Sequence, residues 1–320
     1  SAISGSSVTT AATVGTVAVP EMTSRGYKPS FTLGLLAAGG TLGILIPPSI
    51  PLIVYGVIAE ESIGKLFLAG VGPGILLITV FAIYTILVSA FGSQAEASPK
   101  SSWSERMAAT LRAFPTILLA VVMLGGIYAG AFTPTEASAI GATMALLITV
   151  VQRSLSWQDF LHAVKDSVKT TSVIFLIVVG AKIFGKAITL YQLPAQIAQV
   201  FETHVPSQLG FIIIVSLILL FIGLFLESMS MLLIMVPVLL PTVLGLGLDP
   251  IWFGVYFVLL IEIALITPPV GLNLFVIQAI AGTPLSTVVK GVLPFVLMML
   301  GVAVLLALFP QIALWLPGKL

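Results

Sequence analysis

The segment AAGGTLGILIPPSIPLIVYG, residues 37–56, is the most informative part of the sequence because it places two adjacent prolines inside an otherwise apolar run. Proline has no backbone N–H and its ring clashes with the preceding turn, so Pro47-Pro48 predicts an interrupted helix. A second segment, IEIALITPPVGLNLFVI at 261–277, carries Pro268-Pro269 in the same setting. Backbone left unpaired at membrane depth is tolerated only where protein or a polar cavity covers it. The two pairs therefore predict two broken helices that line a binding site.

The proline pairs belong to a longer register of matching residues. The offset between the pairs is 221 residues (268 − 47 = 221). At this offset, without a gap, six further pairs coincide: Pro20 with Pro241, Gly26 with Gly247, Pro29 with Pro250, Gly70 with Gly291, Pro73 with Pro294 and Ser7 with Ser228. Because Gly and Pro fix the backbone shape, the register predicts an internal repeat whose two halves share one fold.

The composition indicates a polytopic, all-α membrane protein. Of the 320 residues, 58% are hydrophobic and 8% are charged, whereas soluble domains carry about a quarter charged residues. No basic tract is present that would bind nucleic acid, and the absence of cysteine excludes disulfides and thiolate metal sites. The two histidines, His162 and His204, lie in polar stretches, and no catalytic triad, HExxH motif or phosphate loop is visible. An enzyme is therefore not expected, nor any cofactor other than a coupling ion.

Apolar runs of about 20 residues predict the membrane spans. They occupy residues 31–58, 70–92, 114–132, 135–152, 171–190, 251–281 and 291–315. Residues 1–25 and about 206–247 suit re-entrant hairpins, which enter the membrane, turn and leave on the same side. Segments 94–112 and 154–170 are polar or amphipathic and suit helices that lie along the interface.

The positions of lysine and arginine predict the orientation, because cytoplasmic loops are enriched in both residues. If the loop at 24–29 is cytoplasmic, the predicted spans place the loops at 93–113, 153–170 and 282–290 there too. Nine of the 13 basic residues are then cytoplasmic: Arg25, Lys28, Lys100, Arg106, Arg112, Arg153, Lys165, Lys169 and Lys290. The same threading opens the two hairpins to opposite sides of the membrane, so we expect inverted repeats.

The expected domains follow from this threading. Residues 1–92 form the first inverted repeat, residues 93–113 a cytoplasmic amphipathic linker, and residues 114–320 the second inverted repeat. Three spans precede the second hairpin and none precedes the first. We therefore expect the chain to be the C-terminal part of a longer protein, lacking about a hundred residues, which corresponds to three spans and their loops.

The residues around the first break favour a sodium site. Unwinding near Gly43 to Pro48 frees carbonyl oxygens, and the hairpin opposite contributes a cluster of serines. The members of that cluster are Ser1, Ser4, Ser6 and Ser7. Oxygen ligands without a nearby carboxylate suit a hard monovalent cation such as Na⁺.

The second half repeats this arrangement with different side chains. Thr267 stands where the first half has Ile46, Asn273 where it has Leu52, and Glu227 where it has Ser6. Acids inside apolar segments are functional by default. Glu227 and Glu262 are therefore candidate proton carriers or cation ligands, or else partners of Lys182 or Lys186.

The half-helix starts predict the charge of the substrate. Helix N-termini point backbone N–H groups at the centre of the membrane and favour anions. A small carboxylate is therefore expected near the midplane. Its candidate polar contacts are Ser49, Thr9, Ser230 and Asn273, with Lys182 as a residue that attracts the anion.

Four stretches resemble the large membrane (M) subunit of tripartite ATP-independent periplasmic (TRAP) transporters, and the resemblance runs over the whole chain. They are GGIYAGAFTPTEASAIGA at 125–142, ILIPPSIPLIVYG at 44–56, SGSSVTTAATVG at 4–15 and TPPVGLNLFV at 267–276. Within the first stretch, Pro134 with Thr133 and Glu136 is ordinary helix-capping chemistry. We therefore interpret that motif as part of the scaffold.

The resemblance implies an inverted-repeat, ion-transporter-type fold that works by an elevator mechanism. It implies Na⁺-coupled uptake of an organic acid, such as a C4-dicarboxylate or a sialic acid, across the bacterial inner membrane. It also implies two partners, a small four-helix membrane subunit and a soluble periplasmic binding protein. The family's first sodium site maps to Ser1, Ser4, Gly43, Ile46 and Pro48. The second maps to Gly223, Glu227, Ser228, Ala264 and Thr267, where Ala264 replaces the glycine of the first site.

Two alternative functions remain open from the sequence. One is a Na⁺/dicarboxylate symporter of the same fold that needs no binding protein. The other is a cation channel, in which carbonyl groups of the unwound segments would select the ion.

Overall fold

The computed structural model describes residues 7–91, 102–192, 196 and 207–319 of the chain, and the regular structure in them is helical. The α-helices, numbered within this part, are α1 Ser7–Ser24, α2 Pro29–Leu45, α3 Ile50–Ala59, α4 Ile63–Phe91, α5 Trp103–Tyr128, α6 Pro134–Val151, α7 Trp157–Leu190, α8 Gln208–Gly223, α9 Ser228–Gly245, α10 Pro250–Leu265, α11 Leu272–Ala281, α12 Leu285–Leu308 and α13 Gln311–Leu314. A 3₁₀ turn, Pro317–Lys319, follows α13.

The predicted all-helical membrane architecture is confirmed. Six of the described helices are long and apolar enough to cross a membrane, and the pair α2 and α3, bent by 41° at the first proline pair, makes a seventh. Helix α9, predicted as one arm of a hairpin, is among the six by length and composition. The predicted span 251–281 consists of two shorter apolar helices, α10 and α11.

The segments predicted as separate interfacial helices are not separate helices in the described residues. Helix α5 begins at Trp103, after a capping box formed by Ser102 and Glu105, and continues to Tyr128. Helix α7 runs unbroken from Trp157 to Leu190 over 34 residues, or about 51 Å at 1.5 Å per residue. The hydrocarbon core is only about 30 Å thick, so α7 is longer than a single span requires, and its polar first turns continue directly into its apolar part.

Helix ends and turns recur at the offset of 221 residues. Helix α1 ends at Ser24 and α9 at Gly245 (24 + 221 = 245), and α2 and α10 begin at their matching prolines. The glycines in the turns between them have φ angles of 78° and 69°, a left-handed conformation that glycine adopts without strain. Both proline pairs contain a cis peptide bond.

The chain divides into two compact units. The first unit contains α1–α4, the part of α7 from Ala181 onward, and α8–α13. The second contains α5, α6 and the preceding part of α7. In the second unit, α6 starts as the sequence predicts, with Thr133 and Glu136 forming a capping box and Pro134 at the first helical position.

Helix α10 is the centre of the first unit. Every residue from Trp252 to Leu265 is buried, as expected for a helix that is hydrophobic all round. Helix α1 packs against α2 and against α11, the helix that follows the second break. Helix α9 packs against α10 and against α3, the helix that follows the first break. Each of these two helices therefore contacts the helix after the break in the other half.

Candidate functional site

The first break comprises the four residues between Leu45 and Ile50. Ser49 is fully buried and caps α3, since the Leu52 backbone N–H donates to its Oγ at 3.4 Å. The Leu45 carbonyl faces α4 at Gly70, where any Cβ would overlap the carbonyl oxygen. Gly70 therefore allows α4 to lie directly against the end of α2.

The predicted first sodium site falls partly within the described residues. Gly43 is buried at the end of α2, and Ile46 and Pro48 in the break are half-buried. A Cβ at Gly40 would stand 3.1 Å from the Ser7 carbonyl oxygen, so the described start of α1 lies against α2. Ser1 and Ser4 lie outside the described residues.

The second break is longer, with six residues between Leu265 and Leu272. Thr267 is half-buried, and its hydroxyl donates to the Ile263 carbonyl at 2.6 Å. Gly271 has a φ of 42°, and a Cβ there would stand 2.9 Å from the Thr267 carbonyl oxygen. Only glycine fits this position without strain.

The turn between α8 and α9 lies against the second break. A Cβ at Gly223 would overlap the Ala264 side chain, and the Thr267 backbone N–H donates to the Ala264 carbonyl at 3.1 Å. The structure thus brings together Gly223, Ala264 and Thr267 of the predicted second site. Neighbouring Ser228, the first residue of α9, is buried.

Glu227 is the N-cap of α9. Its Oε2 accepts from the Met229 backbone N–H at 2.9 Å and from the Ser230 N–H at 3.4 Å. The side chain is exposed, and within the described part of the chain it forms no ion pair with a lysine.

In the part of the chain that the structure describes, Glu262 and Asn273 are the larger buried polar side chains without a hydrogen-bond partner. Both carboxyl oxygens of Glu262 and both amide atoms of Asn273 are unpartnered, and both residues are 0% exposed. Glu262 lies on α10 two residues before Ala264, which Gly223 contacts, so the turn from Gly223 to Glu227 lies against the same end of α10. The Ser7 hydroxyl and the Glu227 carboxyl act electrostatically on the Glu262 carboxyl. Unpartnered buried polar groups are costly, so these two residues are candidates to bind a ligand.

Other predicted residues lie nearer the surface. Lys182 is exposed and its Nζ donates to Glu60 Oε1 at 3.2 Å, so its partner is neither of the acids that the sequence suggested. Sequence reasoning missed Glu60, whose pairing spans 122 residues; the only local signal is its place after the apolar run of α3. Thr9 is exposed and Ser230 is half-buried.

A second acidic pair lies at the end of α3. Burial raises the pKa of Glu61, the nearby Asp249 raises it further, and Lys65 lowers it. Asp249 caps α10 through the Ile251 and Trp252 backbone N–H groups at 2.8 and 2.9 Å. The Tyr55 hydroxyl donates to the Pro250 carbonyl at 2.6 Å and fixes α3 against the same turn.

The apolar helices, the two breaks and the unpartnered polar groups define a multi-pass membrane protein with polar groups at its centre, a class that includes secondary transporters. The family model of the tripartite ATP-independent periplasmic transporter, DctM component, matches residues 1–312, and the chain belongs to this family. The resemblance seen in the sequence is therefore confirmed.

Relatives match the chain over nearly its whole length. The chain is 38% identical over 318 residues to the sialic acid TRAP transporter large permease protein SiaM of Vibrio cholerae, covering 99% of this chain and 74% of SiaM. It is 39% identical over 320 residues to the C4-dicarboxylate TRAP transporter large permease protein DctM of Pseudomonas aeruginosa, covering 100% and 75%. It is 38% identical over 317 residues to the ectoine/5-hydroxyectoine TRAP transporter large permease protein UehC of Ruegeria pomeroyi, covering 98% and 74%. These relatives are permeases, which indicates a transport protein rather than an enzyme.

Proposed function

We propose that this protein is the large permease of a TRAP transporter and takes up a small organic acid, coupled to Na⁺, across the bacterial inner membrane. The observation that carries the proposal is the pair of broken helices, each with its following helix packed against a helix of the other half. Broken helices in corresponding positions of two halves mark the binding site of secondary transporters.

The substrate class follows from the relatives and from the site. Sialic acid, C4-dicarboxylates and ectoine, after which three relatives are named, all contain a carboxylate. Their permeases are 38%, 39% and 38% identical to this chain, so identity favours no single acid. The buried Ser49 and Asn273 are the proposed polar contacts, with Ser230 and Thr9 farther out. For Lys182 to bind the substrate anion, its ion pair with Glu60 would have to break.

Two sodium sites are part of the proposal. The first uses Ser1, Ser4, Gly43, Ile46 and Pro48, and the second uses Gly223, Glu227, Ser228, Ala264 and Thr267. The contact between Gly223 and Ala264 and the hydrogen bond from Thr267 to Ala264 support the second set. Broken helices supply unpaired carbonyl oxygens, which are suitable sodium ligands.

Inverted repeats and an elevator motion complete the mechanism. The recurrence of helix ends and turns at 221 residues supports two halves of one shape. The distribution of lysine and arginine supports their opposite orientation in the membrane. In an elevator motion, the part that holds substrate and sodium would move across the membrane relative to a fixed scaffold.

The proposed partners are a small four-helix membrane subunit and a soluble periplasmic binding protein that delivers the substrate. The tripartite description of the family supports this composition. One relative, of which the chain covers 50%, is a single permease protein named DctMQ, which supports a permease larger than the M part alone.

Uptake into proteoliposomes tests the proposal. The full-length protein would be reconstituted with its small subunit, and uptake of labelled succinate, sialic acid and ectoine measured with inward Na⁺ or K⁺ gradients. We expect saturable uptake of one acid that requires both Na⁺ and the binding protein. Uptake without the binding protein would favour the symporter alternative, and a non-saturable ion flux would favour a channel.

A further inference from the structure

At one matching position of the two halves, the second half has a glutamate without a hydrogen-bond partner among the described residues, and the first half has a threonine that forms a hydrogen bond. Glu262 matches Thr41 at the repeat offset (41 + 221 = 262). The Thr41 hydroxyl donates to the Ala38 carbonyl at 2.7 Å and contacts Met299 Sδ at 3.7 Å. Both residues are buried, but neither carboxyl oxygen of Glu262 has a hydrogen-bond partner among the described residues. A threonine at this helix position forms a hydrogen bond within its own helix, as Thr41 does with Ala38. Packing alone therefore does not explain why the second half has a glutamate at the matching position.

Glu262 lies on α10, which packs against α9 and α2, and α2 in turn packs against α1. Its electrostatic neighbours are Ser7, at the described N-terminal end of α1, and Glu227, the cap of α9. The helices that pack against α10 hold two other charged side chains, Lys65 in α4 and Lys290 in α12. Among the described residues, no lysine, arginine or histidine pairs with Glu262 or Glu227.

Glu262 and Glu227 lie on elements that pack together, since the turn between α8 and α9 contacts α10 at Ala264, and neither acid has a cationic partner among the described residues. A buried charge without compensation is strongly unfavourable, and an acid inside a membrane helix marks an ion pathway more often than a structural role. Carboxylate and hydroxyl oxygens are the ligands that hard cations prefer. The hydrogen bonds that Glu227 accepts as a cap both go to Oε2.

We propose that Glu262 is a ligand of the second sodium ion, together with Glu227 and the Ser7 hydroxyl. The inference rests on the proposed function, because it names a further residue of the proposed second site. Ser7 belongs to the first half and Glu227 to the second. An ion at Glu262 therefore joins α1 to α9 and makes the second site more acidic than the first.

The test is sodium-dependent thermal stability of the full-length protein with its small subunit in detergent. NaCl would be titrated at constant ionic strength against choline chloride. Changes to groups around a bound metal lower its affinity about 10–100-fold, so we expect Glu262→Gln to raise the sodium midpoint at least about tenfold. Glu262→Asp keeps the charge and should restore part of the affinity. Glu61→Gln, which removes an acid at the end of α3, should keep the wild-type midpoint.

The outcomes separate this inference from the proposed function. A sodium shift in the wild type that Glu262→Gln keeps unchanged overturns the role of Glu262 and leaves sodium coupling intact. A wild type without any sodium-dependent shift overturns both. A purely structural role for Glu262 would lower the unfolding temperature of Glu262→Gln in choline chloride and leave the sodium midpoint unchanged, which also contradicts the inference.

Discussion

At the scale of single residues, Thr267 combines a structural bond with a proposed ligand role. Its hydroxyl donates to the Ile263 carbonyl at 2.6 Å while its backbone N–H is bonded to Ala264. Thr267→Val keeps the shape and removes the hydroxyl, so we expect the sodium concentration for half-maximal uptake to rise roughly two- to tenfold, the worth of one hydrogen bond.

Thr267→Ser is the matched control, because it keeps the hydroxyl and should keep the wild-type sodium dependence. Ser4→Ala applies the same measurement to the first proposed site. Unchanged sodium dependence in both Thr267→Val and Ser4→Ala would contradict the two sites as assigned.

The pair of Lys182 and Glu60 allows a second residue-scale prediction. Both side chains are largely exposed, and such ion pairs contribute about 0–1 kcal/mol to stability. If Lys182 attracts the substrate, Lys182→Gln should raise the KM for uptake, whereas Glu60→Gln releases the lysine and should lower it. Equal KM values in the two variants and the wild type would show that Lys182 does not attract the substrate and that the pair is only a surface ion pair.

Single residues also show what the sequence can and cannot predict. Glu262 and Asn273 stand out in the sequence because a polar side chain inside an apolar helix is costly. Their lack of partners depends on the packing of α10 and α11, which no local pattern encodes. The same holds for Glu60, whose partner is distant along the chain.

At the scale of helices, the close contact between α2 and α12 is made by two glycines. A Cβ at Gly34 would overlap the Gly291 carbonyl, and one at Gly291 would overlap the Ser30 carbonyl. Small residues let membrane helices approach closely. Gly34→Ala should therefore destabilise the protein by about 1–3 kcal/mol, the usual cost of overpacking, measured as a lower unfolding temperature in detergent.

The same helix offers the control. Gly39, also in α2, has nothing within 4 Å of a Cβ, so Gly39→Ala should be neutral or stabilising by up to about 1 kcal/mol from helix propensity. Equal losses in the two alanine variants would show that the contact with Gly291 is not the cause.

Helix boundaries can be predicted from the sequence where particular residues restrict the backbone conformation, and they cannot be predicted elsewhere. The two adjacent proline pairs follow the ends of α2 and α10, because two successive residues without an N–H interrupt the helix. Single prolines such as Pro73 and Pro294 lie inside continuing helices. The polar starts of α5 and α7 have the composition of interfacial helices, yet no proline or glycine separates residues 157–170 from the apolar part of α7. A continuous helix keeps every backbone bond inside the membrane satisfied, which a change in polarity alone does not disturb.

At the scale of the whole molecule, the proposed inversion predicts opposite sides for matching residues. Ser24 ends α1 and Gly245 ends α9, both are exposed, and they match at the repeat offset. The chain has no cysteine, so Ser24→Cys and Gly245→Cys each introduce a single thiol. Nothing lies within 4 Å of a Cβ at Gly245, so that substitution should not disturb the packing.

A membrane-impermeant thiol reagent applied to spheroplasts distinguishes the possible arrangements of the two halves. We expect the thiol of Gly245→Cys to react at once and that of Ser24→Cys to react only after permeabilisation, because lysine and arginine place the loop at 24–29 in the cytoplasm. Reaction of only Ser24→Cys would reverse the orientation and keep the inversion. Reaction of both thiols on the same side of the membrane would contradict inverted repeats. Matching residues of two halves with the same shape lie on the same side only if the two halves have the same orientation in the membrane.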